Sequence, residues 1–185
     1  MRKAIIALII LIAGGASAEV KALRNLDVGD SCPSFCAPQL DGAQLCSSDH
    51  ENSILVTSFV RMDQKESLKV LLALQDLHDR YSTKNVHIIG ILSGEIDRQE
   101  LLDFIGLKEL TLPLILDRNR EIYGSFGVFV YPTLAVFGQD GKLRFLFGSN
   151  TINIGKRVEG TIRFLLAEID ADELEEILHP VVEKT

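Results

Sequence analysis

Residues 117–143 read DRNREIYGSFGVFVYPTLAVFGQDGKL, and the chain changes character several times within this passage. Asn119 to Gly127 has the pattern of a short helix closed by a glycine, the residue that takes the left-handed stop conformation without a side-chain penalty. Pro132 then stands directly before Thr133-Leu-Ala-Val-Phe137, a β-branched and aromatic run that predicts a strand. Asp140-Gly141 is a hairpin signal, and beyond it Leu143, Phe145 and Phe147 alternate with Lys142, Arg144 and Leu146 as a second strand.

Upstream, three apolar runs read as buried strands: SILVTSFV at 53–60, VHIIGIL at 86–92 and LPLILD at 112–117. Between the first two the period changes. Leu68, Leu71, Leu72 and Gln75 lie along one helical row with Leu74, Leu77 and Tyr81 beside it. A shorter helix is expected at 96–105. Another at about 154–168 turns Val158, Ile162, Leu165 and Leu166 inward. Strands alternating with helices imply a mixed sheet covered on both faces, with an antiparallel pair at its C-terminal edge.

The ends and the composition bound the rest. Residues 1–18 join basic Arg2 and Lys3 to a short apolar run and an Ala16-Ser17-Ala18 site, a secretory signal peptide cut after Ala18. The mature chain is therefore expected to be periplasmic or secreted, with no stable membrane span after cleavage. Residues 19–30 read as a loosely packed lead-in, 31–168 as one domain, and 169–185 as an acidic C-terminal helix and tail stopped by Pro180. The formal charge of −7 would become −9 on losing Arg2 and Lys3, which argues against nucleic acid as a partner.

Three passages resemble one family. VGDSCPSFCAPQLDGAQLCSSDH (28–50) is similar to the N-terminal hairpin of the thioredoxin-like group that includes the TlpA/ResA-type thiol oxidoreductases and the AhpC/TSA-related peroxiredoxins. Residues 54–81 stand where that group carries its strand, its Cys-x-x-Cys pair and its long helix; residues 117–143 match its "YGVxxxPT" passage. The resemblance implies a thioredoxin-like α/β fold: a central mixed β-sheet flanked by helices, with an N-terminal β-hairpin. It also implies a cis bond at Pro132 and a groove at Met62, Tyr131 and Pro132 that receives an unidentified protein or peptide. No cofactor is implied.

The chain departs from the family where the chemistry should be. Asp63 and Glu66 occupy the places of the two cysteines, and no P-x-x-x-T-x-x-C peroxiredoxin segment is present. Redox activity there needs a thiolate stabilised by a helix N-terminus, and a carboxylate cannot accept or pass on a disulfide. Asp63-Gln-Lys-Glu66 reads instead as a capping box, with Asp63 at N-cap and Glu66 at N3. Arg61 and Lys65 form a small basic spot beside the groove, read as solvated surface.

Cys32, Cys36 and Cys46 all fall in the hairpin. A three-residue Leu40-Asp41-Gly42 loop sets Cys36 opposite Cys46, whereas a two-residue Asp41-Gly42 turn sets Cys46 opposite Ala37. A structural Cys36–Cys46 disulfide is the first reading in an oxidising compartment. A redox-active Cys32-x-x-x-Cys36 is the second, and would make the chain a thiol-disulfide oxidoreductase or peroxiredoxin-like enzyme. A metal site of Cys32, Cys36, Cys46 and His50 is the third. His87 reads as a satisfied strand residue, and His78 and His179 as solvated. The function expected is a non-catalytic binding or accessory module in periplasmic thiol/redox homeostasis.

Overall fold

The computed structural model describes residues 22–94, 97–149 and 153–180; the signal segment and residues 19–21 of the lead-in lie outside them. In chain order the elements are β1 (Cys36–Pro38), β2 (Gln44–Cys46), a 3-10 turn (Ser47–His50), β3 (Ile54–Arg61), α1 (Lys65–Tyr81), β4 (Val86–Ser93) and α2 (Arg98–Leu107). There follow β5 (Leu114–Leu116), α3 (Glu121–Phe126), β6 (Thr133–Phe137), β7 (Leu143–Phe147), α4 (Ile154–Leu165) and α5 (Ala171–Leu178). The main sheet runs β5-β4-β3-β6-β7: β3, β4 and β5 are parallel, and β6 and β7 antiparallel. The hairpin β1–β2 is a separate two-stranded sheet. This is the thioredoxin-like architecture expected.

β3 shows why an apolar run becomes a central strand. Ile54, Val56 and Val60 point to one face, where they meet Leu71, Leu74 and Leu77 of α1, Leu101 of α2 and Val158 and Ile162 of α4. Leu55 and Phe59 point to the other, against Tyr123 and Phe126 of α3 and Phe35 and Leu45 of the hairpin. The two-residue side-chain period divides one sequence between two cores. The lead-in is not loose. Leu23 (0% exposed) and Leu26 (6%) are buried in the second core, and Leu23 bridges to Val128. Burying these two leucines against α3 outweighs the polar residues around them.

Two periodic expectations shift in detail. In α1, Val70 is buried while Leu72 is exposed, because the helix presents the Val70–Leu74–Leu77–Tyr81 stripe to the sheet. Gln75 nonetheless earns its inward place: its carbonyl accepts from the backbone N–H groups of Thr111 (2.8 Å) and Leu112 (3.0 Å). In β7 a bulge against Val136/Phe137 breaks the alternation, since Val136 pairs with Phe145 but Phe137 with Leu143. The extra residue sends Leu143 to one core and Phe147 to the other. At the C-terminus, α5 packs on α4 through buried Leu174 and through Ile177 over Gly160.

Candidate functional site

The junction between β3 and α1 is built differently from a capping box. Met62 and Asp63 form a turn in which the Gln64 N–H donates to the Arg61 carbonyl at 3.2 Å. Gln64 is the extended residue before the helix, and no side chain caps it. Asp63 turns outward into a two-point ion pair with Arg61, whose Nε and Nη2 donate at 3.0 and 2.7 Å. That hydrogen-bonded guanidinium holds the Asp63 carboxyl below the usual range. Glu66 pairs with Lys69 at 2.7 Å. The helix thus starts later than the capping-box reading placed it. The turn aims Asp63 at a guanidinium rather than at the first helix N–H groups, which corrects that reading. The inward polar residue is Ser67, whose Oγ accepts from the Arg61 N–H at 3.1 Å.

The opposite wall comes from the passage that decided the fold. Asp117 is buried, and its carboxylate accepts from the N–H groups of Glu121 (3.0 Å) and Tyr123 (2.9 Å), fixing the start of α3. The Tyr123 hydroxyl then reaches the carbonyls of Val60 (2.8 Å) and Ile91 (2.9 Å), joining the ends of β3 and β4; burial raises its pKa. Gly127 closes α3 with φ +67°. The Tyr131–Pro132 bond is cis, and Thr133 Oγ1 donates to the Val130 carbonyl at 2.8 Å. Beside Pro132, a cavity of about 790 Å³ runs between α1 and the start of α4, lined by Glu66, Lys69, Ala73, Ile154 and Lys156.

Tyr131 is the most decorated residue of this wall. Arg61 lies with its Cζ 5.8 Å from the ring centroid and Arg120 with its Cζ 5.9 Å from it, and Arg120 also donates to the Tyr131 hydroxyl. Sequence reasoning noted Arg61 but missed Arg120. Arg120 precedes a helix with φ 58°, and nothing in its local pattern announces the contact.

The cysteines lie elsewhere. A three-residue Leu40–Gly42 loop, with Gly42 at φ +93° and the Gln39 N–H on the Ala43 carbonyl at 2.8 Å, sets Cys36 opposite Cys46, and a disulfide joins them. Cys32 is a free, partly buried thiol whose N–H donates to the Gly141 carbonyl at 3.0 Å. Gly141 belongs to the β6–β7 turn, so the length of β6, about 15 Å at ~3.3 Å per residue, separates Cys32 from Pro132. Burial pushes the Cys32 thiol up to about 12, so little reactive thiolate exists near neutral pH. With Cys36 and Cys46 joined, the Cys32/Cys36/Cys46/His50 metal set has lost two thiolates. Among the described residues no group of three or more His, Cys, Asp or Glu is placed to hold a metal ion.

The histidines are rearranged too. His50 stacks on His87 with ring centroids 4.3 Å apart. Both ring nitrogens of His50 and Nδ1 of His78 are buried without a hydrogen-bond partner among the described residues. His78 is therefore not the solvated residue expected, because one edge of its ring is covered. His179 is exposed near Glu175.

Comparison with known proteins agrees with this geometry. A curated relative, the thiol-disulfide oxidoreductase ResA of Bacillus thuringiensis subsp. konkukian, is 25% identical over 120 residues, covering 65% of this chain and 69% of that protein. Among solved structures, a thioredoxin-family thiol:disulfide interchange protein of Chlorobium tepidum superposes with a TM-score of 0.67 at 13% identity, over 75% of this chain and 97% of that one. A secreted disulfide oxidoreductase of Mycobacterium tuberculosis gives 0.59 at 16% identity, over 72% and 95%. Residues 28–146 match the AhpC/TSA family. With its five-stranded mixed sheet, its hairpin and its cis proline, the chain belongs to the AhpC/TSA family of thioredoxin-like redoxins.

Proposed function

We propose that this protein is an exported redoxin that binds rather than reduces: a non-catalytic binding or accessory module in periplasmic thiol/redox homeostasis. One observation carries the reading. The strand-to-helix junction facing Pro132 holds Asp63 and Glu66, both engaged in ion pairs, and no thiol. Redox exchange at that position would need a sulfur nucleophile.

The backbone beside Pro132 supports a binding role. The Tyr131 backbone N–H and carbonyl take no partner among the described residues, so an extended segment of another protein can pair with them. Export is supported by the 1–18 sequence and by a Cys36–Cys46 bridge of the kind that persists in oxidising compartments. No helix among the described residues is long and apolar enough to cross a membrane.

Insulin-disulfide reduction tests the reading, using the wild type, a cysteine-free variant and the Asp63→Cys/Glu66→Cys double variant. The wild type is expected to match the cysteine-free protein. Wild-type turnover that disappears in the cysteine-free variant would make this an enzyme working through its hairpin cysteines. Turnover lost on Asp63→Ala alone would give the junction a catalytic part.

A further inference from the structure

We propose that the Pro132 groove selects an acidic polypeptide segment, one whose Asp or Glu side chains lie along the Phe129–Pro132 wall. The proposal rests on the binding reading above and specifies its partner.

The chain carries a formal charge of −7, yet cations gather along residues 129–131 and in the cavity that Pro132 lines. Arg24 lies with its Cζ 4.0 Å from the ring centroid of Phe129, an aromatic 49% exposed. Arg61 and Arg120 approach the ring of Tyr131 at 5.8 and 5.9 Å. Across Pro132, Lys69 and Lys156 line the cavity. Arg61 and Lys69 are matched by Asp63 and Glu66, whereas Arg24, Arg120 and Lys156 have no acidic partner among the described residues.

Guanidiniums held against aromatic rings keep N–H edges free to meet carboxylates two-pronged. Exposed aromatics flanked by arginines are also the residue types that dominate binding energy at interfaces. Arg24 and Arg120 on the Phe129–Tyr131 segment, with Lys156 in the cavity that Pro132 lines, make an electrostatic complement to an acidic segment on an otherwise acidic protein. They repel a basic one. Each such exposed pair contributes modestly, so the preference comes from several acting together.

The test titrates isotope-labelled full-length mature protein with three extended peptides of one length, bearing Glu, Gln or Lys at the same alternating positions. Amide shifts of Phe129, Val130 and Tyr131 are followed at about 50 and about 300 mM NaCl. The Glu peptide is expected to move these amides and to bind about tenfold tighter than the Gln peptide at low salt, with the preference shrinking at high salt. Arg120→Gln should weaken the Glu peptide about threefold at about 50 mM NaCl, and the loss should shrink at about 300 mM NaCl.

Equal binding of Glu and Gln peptides at these amides would overturn the acidic preference and leave the groove reading standing. Failure of every peptide to move them would overturn both. Concentration-dependent shifts of the same amides without peptide would assign the face to a second copy of the chain, and would also overturn the proposal.

Discussion

His50, at the end of the 3-10 turn, stacks on His87 of β4 with ring centroids 4.3 Å apart and planes inclined by 37°. Among the described residues neither nitrogen of His50 has a hydrogen-bond partner, and His78 of α1 brings a further buried Nδ1 without one. Burial lowers the pKa of all three; for His50 the neighbouring His87, and for His87 the neighbouring His78, lower it further. Asp49 and Asp79 oppose the effect only in part.

Stability should therefore fall on mild acidification. The unfolded chain takes up protons at its histidines below about pH 6.5, while the fold resists them until its lower pKa values are reached. The histidine contribution is fully present above the unfolded pKa and is lost as pH drops through this window. Urea midpoints at about pH 7.5 and pH 5.5 should differ, lower at 5.5, and His87→Gln should narrow the gap. The carboxylate of Glu159, whose pKa is lowered chiefly by its hydrogen bond to Arg80, is lost only at lower pH and does not confuse the comparison.

Asp63→Ala should leave the denaturation midpoint unchanged within error, since its ion pair with Arg61 is solvent-exposed and no helix N–H depends on it. Asp97 is the contrast. Its carboxylate accepts from the N–H groups of Gln99 (2.7 Å) and Glu100 (3.3 Å) at the start of α2. Asp97→Ala should cost about 1 kcal/mol. Equal losses from both variants in urea denaturation would return Asp63 to the role of a cap.

Gly127→Ala should be among the more damaging single changes. The position has φ +67°, and an added Cβ would lie 2.7 Å from the backbone nitrogen of Asn25. The Arg24 N–H also donates to the Gly127 carbonyl at 2.9 Å, so a shift there loosens the lead-in. A loss of about 2 kcal/mol is expected, with faster amide exchange at Leu23 and Leu26 as the local readout.

The thiols separate by reactivity. Native protein at about pH 8 should label slowly at Cys32, whose pKa is pushed up to about 12 by burial, and quickly once unfolded. Reduction of Cys36–Cys46 should lower stability by at most about 3 kcal/mol, the loop-closure value for so short a span. Rapid labelling of Cys32 in the folded protein, or exchange between it and Cys36, would revive the redox reading.

What the sequence determined by itself is whatever short-range chemistry sets. The strands at 54–61 and 86–93 follow from apolar runs, and the glycine that stops α3 follows from its backbone freedom. Asp41-Gly42 announced the hairpin and left two registers open, Cys46 opposite Cys36 or opposite Ala37; the folded three-residue loop ending at Gly42 chose the first. The missing dithiol was equally legible, because the family passage around Asp63 and Glu66 can be read in order. Tertiary structure decided which partners the side chains found. Asp63 chose between a helix end and Arg61 according to the direction of the turn. Arg61 and Arg120, 59 residues apart, met on Tyr131 only because β3, α3 and the Pro132 segment converge at one end of the sheet. His50, His78 and His87 come from a turn, a helix and a strand, each with an ordinary local pattern. Parallel pairing of β3 with β4 sets Leu55 beside His87 and brings the turn before β3 onto the same strand. Such contacts depend on strand order and crossover, which no single element's periodicity encodes.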